Sequence, residues 1–132
     1  MQEHCAIKRW DLLKNKLNNV HPEHFSTFLD QHPNVVVIDC RKPEEFESIH
    51  MPGAINLDYL GAGFWDDIER LPITGTYLVY CNSCRRSTRA CMLMQNGGFQ
   101  NVYNLDGGLK AWIQVRGDNE LLRQHSPINT RV

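Results

Sequence analysis

A continuous β-branched run, Val35, Val36, Val37 and Ile38, places the strongest constraint on the fold of this chain. A strand that is apolar at every position is typical of a parallel sheet covered on both faces, because alternate side chains point to opposite sides. Residues 76–80 and 102–105 are further candidate strands. Helical patterns separate these strands, and parallel strands need such crossovers. The sequence therefore predicts an α/β domain with a mainly parallel sheet flanked by helices on both faces.

The length of 132 residues is that of one ordinary domain. Apolar residues recur at a helical spacing between residues 6 and 17, which predicts an N-terminal helical extension at residues 1–19. The strand and helix signals occupy residues 20–117, which we assign to the main domain. Residues 118–132 are mostly polar and are predicted to form a C-terminal tail on the surface.

Charge and cysteine content limit the kinds of partner and compartment. Fourteen Lys and Arg against fifteen Asp and Glu give a net charge of -1, so neither nucleic acid nor a membrane surface is expected as a partner. The first ten residues lack a signal-peptide pattern, and no run of about 18 apolar residues occurs. We therefore expect a cytoplasmic protein, in which the five cysteines are free thiols.

The sequence around Cys81 has the features of an anion-binding loop. Cys81 follows the strand at residues 76–80, and a helix is predicted from Ser87. A short loop in this position can turn its backbone N–H groups inward, and the helix adds its positive end. Arg85 and Arg86 add charge that favours a thiolate. We predict a reactive Cys81, the alternative being a buried structural cysteine beside solvated arginines.

Four segments of the sequence resemble successive signatures of the rhodanese domain family. They are residues 37–46, 50–56, 81–87 and 98–112. The resemblance implies the rhodanese-like α/β fold and a single-domain sulfurtransferase. It also implies that Cys81 accepts sulfur and that Arg86 closes its loop. The rest of the implied substrate-binding loop consists of Asn82, Ser83, Cys84, Arg85 and Ser87.

The family chemistry implies covalent catalysis in two transfers. Cys81 would attack the outer sulfur of thiosulfate or a persulfide donor and hold it as a cysteine persulfide. The sulfur would then pass to a thiol or cyanide, or to a protein sulfur carrier. No cofactor is implied, and no metal site is expected, since no second Cys-x-x-Cys pair accompanies Cys81 and Cys84.

The loop departs from the family pattern at two positions. Asn82 stands where arginine is common, and Cys84 stands where glycine is common. Glycine tolerates backbone angles that cysteine resists, so Cys84 bears on the curvature of the loop. The Cys81-x-x-Cys84 spacing is also that of redox dithiols. Two interpretations of Cys84 stay open: a second thiol that attacks the first, or a residue that only occupies the glycine position.

Several further residues are predicted to support the site or the core. Asp39 and Arg41 resemble a paired acid and base of the family, and we expect a buried ion pair that supports the loop. Cys40 lies between them where an aliphatic residue is common, and the strand pattern predicts a small core residue. Cys91 is expected to be buried, and His50 to have a packing or hydrogen-bonding role.

Three other functions compete with sulfur transfer. A regulatory or sulfur-carrier module would keep the fold without turnover, although such modules usually lack the cysteine that this chain retains. A dithiol reductase of polysulfides or persulfides would use Cys81 and Cys84. Phosphatases and arsenate reductases of the same fold have a loop one residue longer than the stretch from Cys81 to Arg86, so sulfur chemistry is favoured over phosphate.

Overall fold

The computed structural model describes residue 12 and residues 16–123. Within this part of the chain, five parallel strands form one sheet in the order β1-β5-β4-β2-β3. The strands are β1 Asn18–Val20, β2 Val36–Asp39, β3 Ile55–Asn56, β4 Thr76–Tyr80 and β5 Asn101–Leu105. The helices are α1 Phe25–Gln31, α2 Pro43–Ser48, α3 Phe64–Glu69, α4 Arg85–Asn96 and α5 Gly108–Arg116, with a 3-10 turn at Pro22–His24. The predicted α/β architecture is confirmed.

Helices cover both faces of the sheet because the central strands are apolar on both sides. On one face, Val79 of β4 belongs to a core cluster that includes residues of α3 and α4, such as Ile68 and Met94. On the other face, Leu78 belongs to a cluster that includes Trp112 of α5. Residues 77–80 of β4 therefore all pack in one of the two core clusters.

The edge strand β1 was not predicted, because its sequence begins with two asparagines. Its backbone pairs with β5, and Asn18 donates from Nδ2 to the carbonyl of Val102 at 3.3 Å. Val20 is the buried residue of the strand. Residues 18 and 19, which the sequence assigned to the extension, thus belong to the sheet. The helix predicted at residues 6–17 falls mostly outside the described residues, and Leu17 at its end is buried in the core.

The start of the predicted C-terminal tail packs against the domain. Leu121 is buried, and Leu122 forms an antiparallel bridge with His50 through backbone hydrogen bonds of 2.9 and 2.8 Å. Residues 124–132 lie outside the described part. Over the described residues, no helix is both long and apolar enough to cross a membrane.

Candidate active site

Cys81 lies at the carboxyl end of β4, in the middle of the sheet. Its side chain is buried, and its sulfur accepts the backbone N–H groups of Cys84 at 3.0 Å and Ser87 at 3.4 Å. The hydroxyl of Ser87 lies 3.4 Å from the same sulfur. The loop from Cys81 to Ser87 therefore turns inward around one sulfur atom, as the anion-binding arrangement requires.

The curvature of the loop depends on a left-handed residue at Cys84. Cys84 has a φ of 92° and is the one non-glycine residue with positive φ in the described part of the chain. It directly precedes α4, which begins at Arg85, so the positive end of the helix faces the sulfur. Cysteine thus adopts here the backbone conformation that glycine would adopt without strain.

The start of α5 also supports the loop, through backbone hydrogen bonds. The backbone N–H groups of Leu109 and Lys110 donate to the carbonyls of Cys81 and Asn82 at 2.8 and 3.0 Å. Gly108 makes this approach possible, because a Cβ at that position would lie 2.5 Å from the Cys81 carbonyl oxygen. Gly108 had no predicted role, and its only signal in the sequence is the Gly-Gly pair after the last strand.

The surroundings of Cys81 lower the pKa of its thiol to about 5. The largest cause is a hydrogen bond with the side chain of Cys40, which outweighs the opposing effect of burial. The hydrogen bond with the Ser87 side chain and those from the backbone N–H groups of Ser87 and Ser83 lower the pKa further. At neutral pH the sulfur is therefore a thiolate, the nucleophilic form of cysteine.

Cys40 is the side chain with the largest effect on the pKa of Cys81. It is fully buried, as the strand pattern predicted, and its own pKa is raised, first by the hydrogen bond with Cys81 and then by burial. Cys91 is also buried and its sulfur donates to the carbonyl of Tyr103 at 3.6 Å. Sequence reasoning placed Cys40 in the core but did not place it against the nucleophile.

Arg86 is held at the rim of the loop by Glu45. Its Nη1 lies 3.0 Å from Oε1 of Glu45, and Nη2 lies 3.4 Å from Oε2. Glu45 also accepts the backbone N–H of Lys42 at the start of α2. Burial alone would raise the pKa of Glu45, but the hydrogen bonds from Arg86 and Lys42 lower it. The charge of Arg86 is therefore balanced by the carboxylate of Glu45, a residue with no role predicted from the sequence.

Asp39 and Arg41 form a forked ion pair at the end of β2. Nε of Arg41 lies 3.0 Å from Oδ1 of Asp39, and Nη2 lies 2.8 Å from Oδ2. Both side chains are buried, and the hydroxyl of Tyr80 donates to Oδ2 at 2.8 Å. Since Cys40 lies between the two partners, the pair fixes the backbone on both sides of that thiol.

The remaining loop residues open toward solvent. Asn82, Ser83 and Arg85 are exposed, whereas Cys84 is buried. Asn82 and Ser83 therefore form the exposed part of the loop, while Cys81 itself is only 1% exposed. His50 is in a packing position, stacked on Phe46 at 3.9 Å between ring centroids. No group of three or more His, Cys, Asp or Glu among the described residues could hold a metal ion.

Comparison with known families gives one match over most of the chain. The family model described as Rhodanese-like domain matches residues 22–115. The match includes β2 to β5 and the loop at Cys81, and it ends within α5.

Two curated relatives illustrate the range of similar proteins. The probable adenylyltransferase/sulfurtransferase MoeZ of Mycobacterium tuberculosis is 29% identical over 114 residues, which are 84% of this chain and 29% of that protein. The chain thus spans less than a third of that relative. The thiosulfate sulfurtransferase GlpE of Pseudomonas syringae is 29% identical over 97 residues, which are 74% of this chain and 88% of that protein.

A solved structure agrees with the fold. The rhodanese-like domain protein of Staphylococcus aureus superposes with a TM-score of 0.69, covering 82% of this chain and 99% of that one. The two sequences are 20% identical, so this similarity bears on the fold alone.

Proposed function

The chain belongs to the rhodanese-like domain family, and we propose that it is a sulfurtransferase that carries sulfane sulfur as a persulfide on Cys81. The observation that carries the proposal is the Cys81 sulfur, which accepts backbone N–H groups of Cys84 and Ser87 and has a pKa of about 5. The donor is thiosulfate or a persulfide, and the acceptor is a thiol, cyanide or a protein sulfur carrier. The names of relatives such as thiosulfate sulfurtransferase GlpE support this choice of substrate class.

In the first transfer, the Cys81 thiolate attacks the outer sulfur of the donor. With thiosulfate, a new S–S bond forms to Cys81, the original S–S bond breaks, and sulfite leaves with the electron pair. The low pKa of Cys81 keeps the nucleophile ionised at neutral pH. The N–H groups of Cys84 and Ser87 are the nearest donors for the negative charge of the resulting persulfide.

In the second transfer, the acceptor attacks the terminal sulfur and Cys81 leaves as a thiolate. A thiol of low pKa is a good leaving group in such exchanges. The same hydrogen bonds that activate Cys81 as a nucleophile therefore help its departure. Arg86, held by Glu45, adds positive charge at the rim where an anionic donor arrives.

Free thiols at four described cysteines are consistent with a reducing compartment such as the cytoplasm, which we include in the proposal. Asn82, Ser83 and Arg85 are the exposed loop residues that would meet the donor. The ion pair of Asp39 and Arg41 would act by holding the neighbouring strand end, without contacting the substrate.

The test is intact-mass analysis of the protein after incubation with thiosulfate, with an organic persulfide and without a donor. We expect the mass of one sulfur atom to be added, and the gain to be absent in Cys81→Ser. Cys91→Ser is the matched control, because it removes a buried thiol that lies outside the loop. A wild-type protein that keeps its original mass with every donor would refute the proposal.

A further inference from the structure

We propose that Cys40 is a resolving thiol: it attacks the inner sulfur of a Cys81 persulfide, releases hydrosulfide and leaves a Cys40–Cys81 disulfide. The inference rests on the proposed function, because the persulfide is its starting material. It adds a persulfide reductase step to the site, with a partner thiol in a neighbouring strand.

Strand register places the two cysteines side by side. β2 and β4 are parallel neighbours whose last pair is Asp39 with Tyr80, and Cys40 and Cys81 directly follow these two strand ends. The backbone N–H of Cys40 donates to the carbonyl of Tyr80 at 3.0 Å, so the pairing continues to this point. Adjacent strands lie about 4.8 Å apart. Disulfides join Cα atoms about 4.4–6.8 Å apart, and the usual spacing of adjacent strands falls within this range.

Both thiols also lie on the same face of the sheet. Cys40 and Cys81 belong to the core cluster that contains Ile38 and Val79, their neighbours two positions earlier. Tyr80, one position earlier than Cys81, belongs to the cluster on the opposite face. The alternation of strand side chains therefore brings the two thiols together, close enough for each to shift the pKa of the other.

The approach of Cys40 suits a displacement at the inner sulfur. The N–H donors to Cys81 come from the loop, at Cys84 and Ser87, whereas Cys40 comes from the adjacent strand. The terminal sulfur of a persulfide carries the charge and is drawn toward the N–H donors. The inner sulfur stays beside Cys40, with the leaving sulfur on the loop side.

The atoms and electrons of this step balance without another reagent. The Cys40 sulfur forms a bond to the Cys81 sulfur, and the bond between the Cys81 sulfur and the terminal sulfur breaks. The terminal sulfur leaves with the electron pair and takes the Cys40 proton, giving hydrosulfide. The two cysteines are oxidised to a disulfide, and the sulfane sulfur is reduced to sulfide.

The charge state of Cys81 controls when Cys40 can react. While Cys81 is a thiolate, its charge keeps Cys40 protonated, because the hydrogen bond and the negative charge of Cys81 raise the pKa of Cys40. A persulfide places the negative charge one atom farther from Cys40. The pKa of Cys40 is then raised less, and its thiolate forms more readily. A persulfide that meets no acceptor is then discharged, and a thiol reductant has to reopen the buried disulfide before the next cycle.

The experiment is a discharge measurement on the full chain. The protein is charged with thiosulfate or an organic persulfide, freed of donor by rapid desalting and kept without acceptor while intact mass and hydrosulfide are followed. We expect the added sulfur to be lost and the mass to settle two hydrogen atoms below that of the reduced protein. Peptide mapping should then join Cys40 to Cys81.

Variants separate this step from a general loss of sulfur. Cys40→Ser keeps a hydrogen-bond donor but cannot form the disulfide, so its persulfide should persist, and Cys40→Ala should behave likewise. Cys91→Ser should discharge like the wild type, since Cys91 is buried in the same cluster on a helix. Peptide mapping of the disulfide uses the wild-type chain, so its result does not depend on whether a variant folds.

The outcomes distinguish the two proposals. A wild-type protein that gains sulfur and keeps it without acceptor overturns the role of Cys40 and leaves the sulfurtransferase intact. A disulfide mapped to Cys81 and Cys84 also overturns it, in favour of the Cys-x-x-Cys pair. A protein that never gains sulfur refutes the proposed function and this inference with it.

Discussion

The backbone N–H of Cys84 lies 3.0 Å from the Cys81 sulfur, and Cys84 reaches that position in a left-handed conformation with a φ of 92°. One of the backbone N–H groups around the nucleophile is thus provided by a residue in a strained conformation. Such strain persists only where surrounding contacts hold it in place. Here the start of α4 and the bond from Ser87 to the Cys84 carbonyl supply those contacts.

The first prediction concerns this strain. Cys84→Gly should be more stable than Cys84→Ala by about 1 kcal/mol, because the left-handed penalty of alanine, about 1–2 kcal/mol, exceeds the entropy cost of glycine, about 0.5–1 kcal/mol. Urea unfolding measures the difference. The same two substitutions at Cys91, inside α4, should give the opposite order, with alanine more stable. Equal stability of the two Cys84 variants would show that the loop relaxes without cost.

Short stretches of the sequence predicted the elements that depend mainly on neighbouring residues. The apolar runs of β2 and β4 indicated buried parallel strands, and the loop after β4 indicated an anion site at Cys81. β1 was missed because Asn18 and Asn19 carry no apolar signal, and pairing with β5 alone makes them a strand.

Contacts between distant segments could not be predicted. The approach of Cys40 to Cys81 depends on the register of two strands, and the Glu45–Arg86 ion pair joins residues 41 positions apart. The Cys-x-x-Cys spacing drew attention to Cys84, whereas the register adds a second candidate in Cys40. Sequence spacing reports neighbours within one loop, but a sheet also brings together residues from different strands.

The second prediction is the pH dependence of the Cys81 thiol. Lowering the pH protonates the thiolate, so alkylation of Cys81 by a neutral reagent should slow only as the pH falls through about 5. Below that pH the rate should fall roughly tenfold per unit, and above it the rate should be flat. Mass-resolved alkylation rates measure this. An ordinary thiol would instead show a rate still rising above about pH 8.

Variants of Cys40 test the cause of the low pKa. Cys40→Ala removes the largest lowering contribution, so the midpoint of the alkylation profile should move to higher pH. Cys40→Ser keeps a donor and should move it less. An unchanged midpoint in Cys40→Ala would assign the low pKa to the loop N–H groups alone.

The third prediction concerns the buried ion pair. Asp39→Asn leaves the Arg41 guanidinium buried without a charged partner and should cost about 3–5 kcal/mol in the free energy of unfolding. Tyr80→Phe removes one hydrogen bond to the same carboxylate and the acceptor of the Met51 N–H, and should cost about 1–3 kcal/mol. Glu120→Gln breaks the exposed pair with Arg116 and should change stability little. An Asp39→Asn protein as stable as Glu120→Gln would contradict the supporting role.

The fourth prediction concerns the charge at the loop rim. Glu45→Gln removes the carboxylate that balances Arg86, so persulfide formation from anionic thiosulfate should become faster and more sensitive to salt. Single-turnover rates at several ionic strengths measure this. Glu120→Gln changes the net charge equally at another ion pair and should leave the rate unchanged. A slower reaction in Glu45→Gln would mean that Glu45 acts mainly by orienting Arg86.

The fifth prediction concerns the contact between α5 and the loop. Gly108→Ala adds a Cβ that would lie 2.5 Å from the Cys81 carbonyl oxygen and 2.7 Å from the Asn82 carbonyl carbon, both backbone atoms. Neither atom can move without disturbing the hydrogen bonds from Leu109 and Lys110. We therefore expect a displaced loop, a higher pKa of Cys81 and a large loss of persulfide formation.

Gly53→Ala separates this steric effect from backbone strain. Gly53 has a φ of 76°, close to the 66° of Gly108, but a Cβ there meets nothing within 4 Å. Both variants bear the left-handed penalty of about 1–2 kcal/mol. Only Gly108→Ala should also shift the alkylation midpoint of Cys81, because only that Cβ presses on the backbone that positions the sulfur. Equal effects of the two variants on the midpoint would mean that α5 stabilises the fold without shaping the loop.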